Sequence, residues 1–411
     1  MTDEVDIAIV GAGAAGLAAA KRLRDAPLSI IVLEARSRTG GRAHTVIAGG
    51  YPVDEGCGWL HSANRNPFVR IAESLGVVVD KTTTHWRRQA GAPNFTPEDQ
   101  AAFGRAMTEL DVRIDAAAAQ GLDVAVSTLM DPADRWSPLL NAFSSYYNGA
   151  EFDQISVVDY AAYEDTGVNW RSPTGYGDLI TRFGEGAPVM LETPVSRLDH
   201  SGPMLRLETP RGEVNARLVI VTVPTPLIAE GRTAFTPDLP AVREAAAALP
   251  LGLADKVVFA VKSPGDLPVE GHLFGSPWRT DTGSYHLRPF GRPLIEAYLA
   301  GRQADLLEAE GPGAAAAFAV EELVGIYGSD MRTRLRAVSS SSWRRETWSL
   351  GSYSHAAPGG AWARAALAEP VEERILFAGE ACSANFFSTA HGAAMSGRDA
   401  AERALGLLGL E

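Results

Sequence analysis

VDIAIVGAGAAG, residues 5–16, runs from an apolar strand into a glycine-rich turn and on into LAAAKRLR, residues 17–24, a stretch of good helix formers. The turn has the spacing GxGxxG at Gly11, Gly13 and Gly16. In that pattern the first glycine makes the tight turn and the second lets the backbone approach a pyrophosphate. The third lets helix pack on strand, so that phosphates sit at the positive end of the helix. Glycine-rich turns are common, and this one gains weight from its surroundings. A second apolar strand at 29–33 ends at Glu34, eighteen residues after Gly16, where a carboxylate can accept ribose hydroxyls. The strand–helix–strand order implies parallel strands joined by a crossover. Residues 5–34 therefore read as the start of an α/β, Rossmann-like dinucleotide-binding unit.

EARSRTGGR, residues 34–42, continues directly from the acidic residue. Gly40 and Gly41 offer bare backbone amides, and Arg36 and Arg42 offer guanidinium groups to phosphate oxygens; a surface turn with solvated arginines is the alternative. Further on, Phe103, Met107, Leu110 and Ile114 recur at helical spacing within 98–120, an amphipathic helix whose stripe reads as core. Residues 137–186 mix aromatics with turn signals at Pro173 and Gly175. Strand patterns return at 188–191, 204–208 and 217–223, and again at 374–377, before a closing helix over 389–407. The dinucleotide-type segments are thus split in sequence, with other material inserted between them.

Composition narrows the function classes. The 411 residues are 46% hydrophobic and 21% charged, an ordinary globular balance, and the length favours two domains over one core. The formal net charge of −13 and the absence of any Lys/Arg run exclude a nucleic-acid binder. No apolar run reaches the ~20 residues that span a bilayer. The start MTDEVDIAIV carries no basic segment, so it does not read as a signal peptide. Two cysteines, Cys57 and Cys382, fit no metal spacing, which leaves no metal site expected and points to a reducing, cytoplasmic setting.

Taken together, GAGAAG with EARSRTGGR, VDEGCGWLHSANRNP at 53–67, ADKVVF at 254–259, and the run from SSWRRETWSLGSYSHAAPG to GEACSANFFSTAHGAAMSG resemble the FAD-dependent amine oxidase family, nearest in motif to polyamine oxidases. The resemblance implies an FAD-binding domain built from 1–80, 188–262 and 343–411, and an inserted α+β substrate-binding domain from 81–187 and 263–342. It places Gly58, Trp59, Gly379 and Glu380 beside the cofactor, and Gly392 and Ala393 at the start of the last helix beneath the flavin ring. It matches Val195 to a residue whose backbone meets adenine, though a plain core valine fits as well.

The resemblance also implies chemistry. An amine gives a hydride from its α carbon to flavin N5, an imine results, and dioxygen is the expected acceptor, yielding peroxide. Lys256 lies inside an apolar strand, a costly place for a cation unless it is paired or functional. It resembles the family lysine that reaches the flavin through a water; a snorkelling edge-strand lysine is the alternative. Tyr353 matches one of two aromatic walls, and Thr389 stands where the second would be, a half-cage that resembles polyamine oxidases. Ser352 stands where monoamine oxidases carry an attachment cysteine, which implies noncovalent FAD. His61 resembles a histidine of the polyamine oxidase loop, against the reading of a packed structural histidine. Glu55 has no account at this level.

The expected partner is a small amine, a polyamine or secondary amine above others, for a monomer or homodimer that binds neither nucleic acid nor membrane. The alternatives are a related flavin desaturase or an amino-acid oxidase. The latter needs an arginine for the substrate carboxylate, with Arg65, Arg87 and Arg171 as candidates.

Overall fold

The computed structural model describes residues 3–87, 89–90 and 95–410, with the side chains of Asp3 and Arg87 outside that set. The strand Asp3–Val10 lies between two parallel neighbours, Ile30–Leu33 and Gly212–Val221. The sheet extends to eight strands in the order 189–190, 30–33, 3–10, 212–221, 205–209, 197–199 and 234–236, with Ile375–Phe377 also paired to the long strand. That long strand does two jobs along its length. Its first half pairs antiparallel with Leu205–Thr209, and its second half pairs parallel with Ile375–Phe377. The run LVIV at 218–221 is buried throughout, as a strand covered on both faces must be.

Two helices cover one face of this sheet. Ala14–Leu23 and Ala390–Leu407 meet through alanine and glycine, so their backbones come very close. A Cβ added to Gly397 would stand 2.0 Å from the Ala15 carbonyl oxygen. The expected βαβ start, the C-terminal strand and the closing helix are all present, and the fold is the Rossmann-like α/β class read from the sequence.

The second sheet is antiparallel, in the order 271–274, 284–287, 294–300, 254–261 and 335–340. One face packs Val257, Phe259, Tyr285 and Ile295 on the helices Gly301–Glu310 and Ala314–Tyr327. The strand Ala254–Val261, grouped with the nucleotide-binding segments in the sequence reading, is hydrogen-bonded here between Leu294–Ala300 and Leu335–Ser340. It is a central strand, not an edge.

The helix Pro97–Ala119 is capped by Thr96, whose hydroxyl accepts from the Asp99 amide at 3.1 Å, with Pro97 in its first turn. Phe103 packs on Phe143 of the helix Ser137–Asn148, Leu110 and Ile114 are buried in the same core cluster, and Met107 is only half-buried. No helix among the described residues is long and apolar enough to cross a membrane.

The helix contact gives a graded test. Gly397→Ala forces a methyl into backbone that cannot yield, so we expect a loss of about 1–3 kcal/mol in denaturant unfolding. Gly325→Ala, in the helix Ala314–Tyr327 with nothing within 4 Å, is the control and should be neutral or stabilising by about 0.4–1 kcal/mol. Equal effects of the two would remove the close-packing argument.

Candidate active site

A single cavity of about 760 Å³ runs from the glycine turn to the polar face of the second sheet. At the first end, the Glu34 carboxylate is buried and accepts from the Ala12 amide at 2.7 Å and the Arg36 amide at 2.8 Å. A carboxylate has about four acceptor positions, so capacity remains for hydroxyl groups. Gly11 has a φ of +105°, and a Cβ on Gly16 would stand 1.9 Å from the Gly11 carbonyl oxygen, so only glycine serves at either place. A Cβ on Gly41 would lie 3.2 Å from the Gly13 Cα, which makes a cradle with side chains on neither wall. The helix Ala14–Leu23 opens at Gly13 with no side-chain cap, leaving its first amides for another acceptor. The Arg36 guanidinium binds Glu346 and the Ser349 hydroxyl, yet its buried Nε has no partner.

Those features fit a bound dinucleotide: bare amides and an orphaned guanidinium nitrogen for phosphate oxygens, and a buried carboxylate for ribose. Arg42 differs from its expected role in one respect. Its Nη1 is held by the Ser352 carbonyl at 2.8 Å and Glu380 at 2.9 Å, so it ties the glycine loop to the C-terminal segment while lining the cavity. Burial would raise the Glu380 carboxyl, but Arg42, the Ser354 hydroxyl and the Ser388 amide hold it below its ordinary value. Val195 and Gly379 complete this end of the wall.

The second sheet supplies the other end. Directly opposed residues of antiparallel strands share a face. Register therefore sets Lys256 opposite Tyr298, Ser284 opposite Tyr298, His286 opposite Glu296, and His272 opposite His286. Lys256 is buried, with its Nζ donating to the Asp54 carbonyl at 2.9 Å and lying 3.3 Å from Glu296. Burial alone would pull the ammonium down, but the Glu296 and Asp54 carboxylates outweigh it and its pKa is raised. Glu296 answers in kind: burial would raise it, and Lys256 and His286 bring it down to about 2. The snorkelling-lysine alternative does not hold, because this ammonium points into a central, buried network.

Tyr353 is anchored by its hydroxyl, which donates to the Tyr146 carbonyl at 2.8 Å and meets the Tyr298 hydroxyl at 2.9 Å. Burial and the neighbouring Tyr298 raise its pKa well above the ordinary value. Thr389 caps the last helix, accepting from the Gly392 amide at 2.9 Å and donating to the Phe386 carbonyl at 2.6 Å, so it offers the cavity little bulk. His61 pairs with Asn169 at 2.7 Å, and burial lowers its pKa despite that bond. Gly58 and Trp59 also line the chamber.

Of the residues assigned from the sequence to the cofactor or the reacting end, all but Gly16 and Gly392 line this cavity. Those two act on backbone instead: Gly392 would place a Cβ 1.9 Å from the Phe386 carbonyl oxygen. Glu55 now has an account, bridging His44 at 3.1 Å and the Ser339 hydroxyl. The sequence reading missed Glu296, Tyr298, Tyr146 and the histidines 85, 272 and 286. The one signal available was a carboxylate and a phenol two residues apart inside LIEAYLA, residues 294–300. Arg171 is bound to Glu270 at 2.7 Å and does not line the cavity, and neither does Arg65, which pairs with Glu164. Among the described residues, no cluster of ligands could hold a metal ion.

Glycine cradle, buried lysine and aromatic chamber in one cavity define a flavin-dependent oxidoreductase architecture. Residues 14–112 and 132–405 match the model of the family described as flavin containing amine oxidoreductase, and the chain belongs to that family. It is 30% identical to a lysine-specific histone demethylase 1 homolog 3 of Oryza sativa subsp. japonica, over 96% of this chain and 53% of that protein. It is 28% identical to polyamine oxidase 2 of Arabidopsis thaliana, over 98% of this chain and 88% of that one. The chain thus spans about half the length of the histone demethylase relatives. Its fold matches a putrescine oxidase solved with putrescine (TM-score 0.80, 22% identity, 98% of this chain and 99% of that one). It also matches a cyclohexylamine oxidase from Brevibacterium oxydans IH-35A (TM-score 0.80, 22% identity, 98% and 99%). The cofactor is FAD, for which the cradle described above is shaped.

Beside Lys256, Asp255 receives the Ser341 hydroxyl at 2.9 Å and the Trp343 amide at 3.1 Å, and so holds Trp343 against the Glu55 carbonyl. Its Oδ2 is buried against the Glu308 carboxyl and accepts from no other donor among the described residues. Burial, with Glu308 adding to it, pushes the Asp255 carboxyl up to about 8. A carboxyl raised in the fold binds more protons folded than unfolded, so stability falls as pH rises from about 4 to about 8. Asp255→Asn keeps both accepted bonds and removes the charge. The Tm of the variant relative to wild type should therefore climb by several degrees between acid and mildly alkaline buffer. A constant difference across that range would show that Asp255 ionises normally.

Proposed function

We propose that this protein is an FAD-dependent amine oxidase, with a polyamine or secondary amine as its substrate and dioxygen as its acceptor. The observation that carries the reading is the continuity of one cavity from the glycine cradle to the chamber of Lys256, Tyr353 and Thr389. FAD, when bound, supplies the hydride acceptor. The protein's part is to bind, orient and exclude water. Residues 34–42 and 379–380 hold the cofactor; Val195 and Ala393 complete its seat, with Gly58 and Trp59 at its edge. Tyr353, locked by two hydrogen bonds, forms a rigid wall along which the amine aligns. Lys256 is a fixed cation at the reacting end, and His61 is a neutral polar contact on the opposite loop.

Substrate class follows from shape. Thr389 is small and its hydroxyl is committed to the helix, so the chamber is wide on that side and admits a substituted nitrogen. Two carboxylates on exposed segments, Asp111 and Asp165, line the cavity and suit a distant ammonium. An amino-acid substrate is disfavoured, because among the described residues the arginines on the wall are Arg36 and Arg42, at the dinucleotide end. The division into an FAD-binding domain (1–80, 188–262, 343–411) and a substrate-binding domain (81–187, 263–342) is part of this proposal, as are noncovalent FAD, a monomer or homodimer, and a reducing cytoplasm for the free thiols of Cys57 and Cys382.

Two experiments test it. Lys256→Met should retain FAD but slow turnover at least ten-fold, about 1.4 kcal/mol; wild-type rates in both half-reactions would make Lys256 structural. An N-substituted or spermine-like amine should exceed benzylamine ten-fold or more in kcat/KM, and Thr389→Tyr should shrink that margin. A wild type that prefers benzylamine would remove the polyamine-like assignment and leave amine oxidation in place.

A further inference from the structure

We propose that the chamber contains a second recognition site, formed by His85 with Ser284, that takes a neutral hydrogen-bonding group such as a hydroxyl or an amide on the non-reacting arm of the amine. The proposal rests on the amine oxidase reading and specifies the substrate that this site accepts. Its starting point is an unused polar side chain. His85 lines the cavity, is only 9% exposed, and has no hydrogen-bond partner at either ring nitrogen among the described residues, with Nδ1 fully enclosed. Its ring is held flat by stacking on His286 at 3.8 Å and 9°, with Trp59 and Trp86 packed at its sides. A ring fixed this firmly, and left unpaired, is poised for a ligand.

The neighbours are already satisfied, which singles His85 out. The Gln89 amide donates to His272 Nδ1 at 2.6 Å, so Nε2 carries the proton of that ring and donates to Ser284 Oγ at 2.8 Å. The Ser284 hydroxyl proton then has no acceptor among the described residues, and Ser284 also lines the cavity. His286 is bonded to Glu270 at 2.8 Å, and Glu296 lies between Lys256 at 3.3 Å and His286 at 3.6 Å. With Nδ1 enclosed, the wall therefore presents His85 Nε2 and one free hydroxyl proton. A hydroxyl or an amide both donates and accepts, and so satisfies both.

Charge argues the same way. Burial and the adjacent histidines hold the His85 imidazole well below its ordinary value, and burial brings His272 down to about 3, so these two rings are uncharged near neutral pH. The carboxylates at this end, Glu270 and Glu296, already face Arg171 and Lys256. A second ammonium buried here would give up water without gaining a free counter-charge. Such a group is better served by Asp111 or Asp165.

The test compares three probes of equal length: 5-aminopentan-1-ol, 1,5-diaminopentane and hexylamine. Their dissociation constants for the anaerobic FAD-loaded protein are read from the flavin difference spectrum or by calorimetry, so no turnover is needed. We expect the amino alcohol to bind about ten-fold tighter than either of the others. His85→Leu should reduce that preference to less than about three-fold, and His85→Asn, which keeps a hydrogen-bonding group, should restore part of it. Flavin content and Tm of each variant report its fold. A wild type that prefers the diamine, binds all three alike or binds none overturns the proposal, as does a preference that survives His85→Leu in a folded variant. Failure of the amine oxidase reading would show separately, as FAD-loaded protein that oxidises no amine.

Discussion

Three backbone segments meet at the glycine turn with no side chains between them, and the rest of the molecule is arranged around that contact. Gly16 lies on the Gly11 carbonyl, Gly41 on Gly13, and Gly397 on the Ala15 carbonyl. A methyl group at any of these would hold the helix Ala14–Leu23 away from its strand, from the loop 34–42, or from the closing helix. The amides at the start of that helix would then no longer converge on one point. Glu34 adds the single polar tie, accepting from Ala12 in the middle of the turn. The close approach also explains why segments so far apart in sequence form one wall: Arg42 and Glu380 bridge the first loop to the last island at 2.9 Å.

The opposite end of the cavity solves a different problem, that of burying charge. Lys256, Glu296, His286, Glu270 and Arg171 form a chain in which each charge faces an opposite one or a hydrogen bond. Buried charges are tolerable only when paired in this way. The pairing keeps Lys256 a cation inside a sheet whose other face packs mainly apolar side chains, and it does so without covering the cavity. Tyr298 and Tyr353 connect this network to the aromatic wall, so chamber shape and chamber charge are set by the same strands.

The two ends were unequally legible. The glycine cradle is written in contiguous sequence, because a tight turn, a bare amide and a close helix contact each demand glycine at a fixed place. Lys256, Tyr353 and Thr389 were readable through motif context, and all three reach the cavity. The polar wall was not readable. Its members at 272, 284, 286, 296 and 298 are brought to one face only by the antiparallel register, and His85 joins them by stacking on His286 from a separate turn. Alternation marks Glu296 and Tyr298 as sharing a side of their strand, but not which side faces the ligand. The strand Ala254–Val261 illustrates the limit from the other direction: its burial was evident, while its membership of the second sheet depends on pairings more than thirty residues away. The helix Pro97–Ala119 was read as core, and its Met107 and Asp111 border the cavity as well.

The central claim is that the two ends serve one reaction, with the cofactor in the cradle reduced by an amine in the chamber. The most direct measurement is anaerobic mixing of the FAD-loaded protein with a panel of primary, secondary and polyamines, followed in the visible flavin bands. The account predicts rapid bleaching with at least one amine, recovery of the oxidised spectrum on admitting air, and no bleaching with amino acids. A flavin that stays oxidised with every amine, or that is bleached by amino acids instead, would contradict it.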